Sequence, residues 1–144
     1  MSDPGDGITA GEGYAVATTL GALGDGPGVR KVRRQLGVTA FGVNVMVLPP
    51  AYETGWHFHE EQEELYFVHA GEMEIEFGDG TTHRLEPGGL ARVDATTHRR
   101  LRNVGEGEAA YFCAAARTAT SAATGRSPTR RRTTRTARRP AGRS

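Results

Sequence analysis

The stretch GWHFHEEQEELYFVHAG, Gly55 to Gly71, restricts this chain more than any other, because it gathers metal-type ligands onto what reads as strand, turn and strand. His57 and His59 are one residue apart, and on a β-strand residues i and i+2 share a face. The two imidazoles therefore point the same way. Glu60 and Glu61 fall in the turn that follows, while Glu64 begins the run LYFV and shares its parity with Tyr66 and Val68, the side expected to face inward. Glu64 is the expected third ligand, with Glu63 as its nearest rival. Two imidazoles and a carboxylate make a set suited to Fe, Mn, Zn, Ni or Cu.

The sequence around this stretch is patterned for strands. Phe41, Val43, Val45 and Val47 alternate with Gly42, Asn44, Met46 and Leu48, which predicts a strand with one strongly buried face. Pro49 and Pro50 end it, since neither can donate to a ladder. Met73, Ile75 and Phe77 alternate with Glu72, Glu74 and Glu76, the pattern of a half-buried antiparallel strand with solvent-facing glutamates. Gly78-Asp79-Gly80 reads as a tight hairpin turn, the pair Asp-Gly tolerating positive φ. TTHRL is the return strand, Glu86-Pro87-Gly88-Gly89 a second turn, and LARVD, HRRLRNVG and AAYFCAAA complete the series. Upstream, VRKVRRQLGV reads as the first firm strand and YAVATTL as an edge strand within an otherwise loose segment 1–28. The basic cluster of VRKVRRQLGV, Arg30, Lys31, Arg33 and Arg34, reads as a solvated face or a strand pairing with the acidic body of another subunit, ahead of nucleic-acid binding.

The central stretch resembles the first signature of the cupin family: a glycine, then HxH, three or four residues, Glu, six residues, Gly. Four residues separate His59 from Glu64, and six lie between Glu64 and Gly71; Gly55 stands nearer the histidines than the family's leading glycine. The resemblance implies an all-β fold, a jelly-roll β-barrel or double-stranded β-helix, over about residues 29–116. It also implies a divalent metal (Fe, Mn, Zn or Ni) on His57, His59 and Glu64, a small molecule inside the barrel with Trp56, Phe58 and Tyr66 shaping its mouth, and a homodimer built through N-terminal strands.

The family's second signature ends in a histidine, three residues and Asn. Asn103 is present, but the expected histidine position holds Arg99, and His98 lies one residue early. A one-residue offset turns a strand side chain to the opposite face. If the register follows Leu101 and Asn103, Arg99 points inward and pairs with Glu64; if a bulge among Ala95, Thr96 and Thr97 shifts it, His98 becomes a fourth ligand. The first register is favoured. His69 and His83 read as ordinary surface or barrel residues.

Charge divides the 144 residues in two. Nine of the 18 basic residues, all arginines, lie beyond residue 116 with no acid among them, so the body keeps nine basic against 17 acidic residues, a net of −8, and the tail is +9. Residues 117–144 contain no Val, Ile, Leu, Phe, Tyr or Trp, which predicts a disordered Arg/Thr-rich tail. The same composition arises when a GC-rich gene is read out of frame, the origin favoured for it. A nucleic-acid role for the tail is the weakest reading. Cys113 lies in an apolar strand pattern and is expected to be a buried thiol, which fits a reducing, cytoplasmic setting; no apolar run approaches a membrane span.

Two function classes follow. In one the barrel is a metal-dependent small-molecule enzyme, an oxygenase or an isomerase; in the other it is a binding or sensor module in which Arg99 neutralises Glu64 or holds an acidic ligand.

Overall fold

The computed structural model describes residues 7–116 and the backbone of Gly125–Arg126. Strands dominate it: β1 (Ile8–Gly11), β2 (Tyr14–Ala17), β3 (Gly28–Arg30), β4 (Phe41–Leu48), β5 (His57–Phe58), β6 (Glu64–Ala70), β7 (Met73–Phe77), β8 (Thr82–Leu85), β9 (Leu90–Val93), β10 (Arg99–Asn103), β11 (Ala109–Ala116) and β12 (Gly125–Arg126). A 3₁₀ turn spans Leu20–Leu23 and one short helix, α1, spans Val32–Leu36.

Two five-stranded antiparallel sheets face each other, in the orders β3-β4-β11-β6-β9 and β12-β5-β10-β7-β8, with β1-β2 as a separate hairpin. This is the jelly-roll arrangement, two sheets closed over one core. Period-two alternation fills it: Tyr66 and Val68 from β6, Met73 and Ile75 from β7, Leu101 from β10 and Tyr111 from β11 meet in one buried cluster.

Gly71, the last residue of the first signature, has a physical reason to be glycine. Its φ is +77°, and a Cβ there would lie 2.7 Å from the backbone of Ala109 and Glu108. At the β7–β8 turn only Gly80 takes positive φ; Asp79 instead accepts hydrogen bonds from the backbone N–H and hydroxyl of Thr81, at 2.8 and 2.7 Å. Glu86-Pro87-Gly88-Gly89 closes with Gly89 N–H donating to Glu86 O at 2.8 Å, and Gly88 has φ +89°. Proline second and a positive-φ glycine third are the requirements of a type II turn.

Two expectations need correction. VRKVRRQLGV is not one strand: β3 stops at Arg30 and the chain turns into α1, which ends at Gly37 in the left-handed conformation (φ 71°) with Val38 N–H on Arg33 O at 3.0 Å. Arg, Gln and Leu are good helix formers, and a glycine at this position is a common helix stop. The segment before residue 28 is not simply loose, since β1 and β2 pair throughout and Gln35 Nε2 of α1 donates to Leu23 O at 2.9 Å. Val43, Val45 and Val47 of β4 are buried as expected, although Phe41 on the same face is exposed; Val45 and Val47 pack with Ala110 beneath Leu20 and Val32, while Met46 and Leu48 pack on the interior cluster. β4 is buried on both faces.

The tail reading falls on residues outside those described, except Gly125–Arg126, which pair antiparallel with Phe58 and His57. Among the described residues no helix is long and apolar enough to cross a membrane.

Candidate metal centre

The link from Pro50 to β5 is tied along β10. Thr54 N–H donates to Leu101 O at 2.8 Å, Leu101 N–H donates to Thr54 Oγ1 at 3.0 Å, and Asn103 N–H donates to Tyr52 O at 2.9 Å. These bonds deliver the chain so that His57 stands opposite Arg99 in the β5–β10 ladder. His59 is held in turn by its N–H on Ala95 O at 2.8 Å. From the other sheet β6 brings Glu64, whose side chain is 7% exposed, to the same point.

His57, His59 and Glu64 each offer a ligand atom, and these atoms lie within 4.8 Å of one another. His57 Nδ1 is 2.9 Å from Gly55 O; a carbonyl only accepts, so Nδ1 is the donor and Nε2 is the ring nitrogen left to face a metal. His59 is pushed towards the neutral imidazole chiefly by burial, against the opposing pull of Glu64, with Arg99 and His57 adding to the fall. His59 Nε2 and Glu64 Oε1 are in direct contact. Two imidazoles and a carboxylate around one point fit a divalent metal as a three-donor face with open positions.

Glu64 is also the hub of a second set of contacts. Arg99 is fully buried, and its Nη2 lies 3.0 Å from Glu64 Oε1, an ion pair that falls outside hydrogen-bond geometry and leaves Nη2 without a hydrogen-bond acceptor. Its Nε donates to the Tyr66 hydroxyl at 3.2 Å, and its Nη1 donates to Thr97 O at 2.7 Å and Ala95 O at 3.1 Å. The segment Asp94–Thr97 forms a turn, with Thr97 N–H on Asp94 O at 3.2 Å, and its carbonyls wrap the guanidinium. Such partners offset the desolvation of a buried cation.

Cys113 is a site neighbour that the sequence reading left as a core thiol. Its Sγ donates to Glu64 Oε2 at 2.6 Å, and burial followed by the Glu64 charge pushes the thiol well above its ordinary range. The available signal was parity, since Cys113 is two residues from the inward Tyr111. Burial likewise raises Tyr66, with Glu64 and Cys113 adding to it, so the phenol stays neutral.

The remaining residues from the sequence reading lie elsewhere. β10 pairs with β7 without a shift, from Arg99 opposite Phe77 to Asn103 opposite Met73. Arg99 consequently points inward and His98 is exposed, its ring stacked on Phe58 at 4.7 Å, so His98 does not join the three donors. Trp56 lies against the Arg100 guanidinium, 4.9 Å away. Trp56 and Phe58 thus occupy the face opposite His57 and His59 and do not shape the interior; Tyr66 does. Glu63 is exposed and paired with Arg92 at 2.9 Å. His69 and His83 are exposed. Asn103 serves the fold: its amide donates to Leu48 O and Gly107 O, at 3.1 and 2.8 Å, and accepts from Gly105 N–H at 3.0 Å.

A cavity of about 610 Å³ opens beside this centre between α1, the start of β4 and the end of the barrel. Glu64 and Cys113 lie in its wall together with Asn44 and Gln62, and Lys31, Arg33 and Arg34 line it from the α1 side.

The sequence profile described as "Cupin domain" matches residues 44–115, half of the chain and the part that carries the whole three-donor group. The chain belongs to the cupin family. Solved structures similar to this cupin include a sugar phosphate isomerase from Silicibacter pomeroyi, at 26% identity and TM-score 0.58, covering 62% of this chain and 59% of that one. A cupin protein from Bacteroides fragilis matches at 20% identity and TM-score 0.57, over 69% of this chain and 82% of that one. A Schizosaccharomyces pombe cupin domain matches at 17% identity and TM-score 0.52, over 56% and 58% of the two chains. This cupin therefore spans less than two thirds of the isomerase it resembles. No curated protein matches the chain.

Proposed function

We propose that this cupin binds a divalent metal through His57, His59 and Glu64 and acts on a small molecule held inside the barrel. The observation that carries the reading is the approach of those three donors to within 4.8 Å of one another in a largely buried setting. When bound, the metal would supply Lewis-acid polarisation of a substrate oxygen. The chain's own residues do the rest. Arg99 and the Cys113 thiol hold both oxygens of Glu64, at 3.0 and 2.6 Å, and so fix its plane. Tyr66 presents a neutral hydroxyl, and Val68, Ile75 and Leu101 form a buried apolar layer in the barrel.

An isomerase is the favoured reaction class, supported by the likeness to the sugar phosphate isomerase at 26% identity. A two-histidine, one-carboxylate face also suits oxygen-activating iron, the basis of the oxygenase alternative. Protein purified without a histidine tag is expected to carry about one equivalent of metal, read by mass spectrometry, and His57→Ala with His59→Ala is expected to lose it. Retention of metal by that double variant would overturn the reading.

A second reading has its own support: the Arg99 guanidinium sits where a fourth donor would otherwise stand, already paired with Glu64. In that reading the barrel is a metal-free binding module for an acidic ligand. Metal-free protein whose ligand affinity collapses in Arg99→Gln would favour it.

We propose further that the cupin is a homodimer located in the cytoplasm. Support for the dimer comes from the outer face of β6 and β9, where Leu65, Phe67 and Leu90 stand 44, 37 and 60% exposed and Phe67 is directly opposite Leu90. Contiguous exposed apolar surface of this kind marks interaction sites. Sedimentation of Phe67→Ser with Leu90→Ser as a monomer, beside a dimeric parent, is the expected result. The cytoplasmic location rests on the single thiol and is checked by fractionating cells that express the full chain.

A further inference from the structure

The body of the chain carries nine basic residues before position 117. Five of them, Arg84, Arg92, Arg99, Arg100 and Arg102, form ion pairs with carboxylates. A sixth, Arg30, is buried and donates to Gly26 O. The remaining three are Lys31, Arg33 and Arg34. Among the described residues none of them forms an ion pair, and all three line the same cavity, the one that Glu64 and Cys113 also line.

This distribution calls for a physical reason. In a body of net charge −8, neutralising carboxylates are plentiful, and the outer face of β7 shows them in use, with Glu72, Glu74 and Glu76 each taken by an arginine. Three cations within four residues repel one another, and a concave wall strengthens their field. Three cationic side chains lining one cavity, Lys31 and Arg34 exposed and Arg33 half-buried, match a dianion better than a single carboxylate, which one arginine can satisfy in a bidentate pair. The volume of about 610 Å³ is that of a small-molecule site.

We propose that Lys31, Arg33 and Arg34 form an anion clamp at the mouth of this cavity, and that the ligand is a small phosphate monoester. Its phosphate lies on the α1 side, and its hydroxyl-bearing end extends past Asn44 towards Glu64. The proposal rests on the metal-centre reading only for what happens at the far end of the ligand.

The test uses the full chain and the variant Lys31→Gln, Arg33→Gln, Arg34→Gln, all outside the barrel core, with inorganic phosphate, glucose 6-phosphate and glucose as probes. Titration calorimetry is expected to show phosphate and glucose 6-phosphate binding the parent at least about tenfold more tightly than glucose. The variant is expected to lose that preference by about the same factor. Because the arginine-rich tail is present in both proteins, its contribution cancels. In amide spectra the parent's phosphate-induced shifts are expected at residues 31–44; shifts confined to other residues, equal affinity for glucose, or an unchanged variant would overturn the clamp. Metal content is measured on the same samples. Metal retained while phosphate affinity falls supports both readings, and metal absent from both proteins while phosphate affinity still falls removes the metal centre and keeps the clamp.

Discussion

At the scale of single residues, position 99 decides the chemistry. Arg99 is buried with a guanidinium 3.0 Å from the carboxylate that a metal would also need. A fixed cation beside a divalent ion disfavours it, and a histidine there would remove the charge and add a donor. Arg99→His is therefore expected to bind Zn²⁺ at least about tenfold more tightly, measured by competition with a chelator; unchanged affinity would show that the guanidinium does not limit binding. Gly71 is the second decisive residue. A side chain there must adopt φ +77° and meet the Ala109 backbone at 2.7 Å. Gly71→Ala is expected to lower stability by about 2–5 kcal/mol, the sum of backbone strain and overpacking, measured by urea denaturation.

At the scale of elements, β10 organises the site although it supplies none of the three donors. It pairs with β7 on one side and with β5 and the Tyr52–Thr54 link on the other, and that pairing sets where His57 and His59 arrive. Thr54→Val removes the acceptor for Leu101 N–H and is expected to cost about 1–3 kcal/mol. Metal affinity should fall with it, since the strand carrying the histidines is loosened. An equal loss of stability from Asn103→Ala, whose amide pins the β10–β11 turn at Leu48, Gly105 and Gly107, should leave the metal affinity of the folded protein unchanged. Comparing the two variants by metal titration separates positioning from general destabilisation. Elements also show where local patterns mislead. The alternation in β4 correctly marks a strand, but an alternating pattern cannot say which buried face is the barrel and which lies under α1. In VRKVRRQLGV the valines suggest a strand, whereas helix-forming side chains and Gly37 end it as a helix.

At the scale of the whole molecule, paired and unpaired charges occupy different places among the described residues. Cross-strand pairs such as Arg102 with Glu74 and Arg100 with Glu76 lace the outer face of one sheet, where solvent screens them and keeps their contribution small. Lys31, Arg33 and Arg34, which form no ion pair among the described residues, line one cavity instead. A ligand that binds only the folded barrel stabilises it by mass action, about 2.7 kcal/mol at one hundred times its dissociation constant. Added Zn²⁺ is thus expected to raise the melting temperature of the parent and to leave that of His57→Ala, His59→Ala unmoved, with a chelator reversing the shift. Equal shifts in both proteins would place the metal elsewhere.

The sequence by itself determined the strands around the centre, the turns at Gly80 and Gly88, and the convergence of His57, His59 and Glu64, because period-two alternation and turn chemistry are local and survive without tertiary context. Only the tertiary structure decided that Arg99 and not His98 faces inward, that Trp56 and Phe58 lie on the outer side, that Cys113 reaches Glu64 across 49 residues of chain, and that Lys31, Arg33 and Arg34 share a cavity with that same glutamate. Each of those depends on which strands pair and in what register, and register is settled by the joint packing of two sheets.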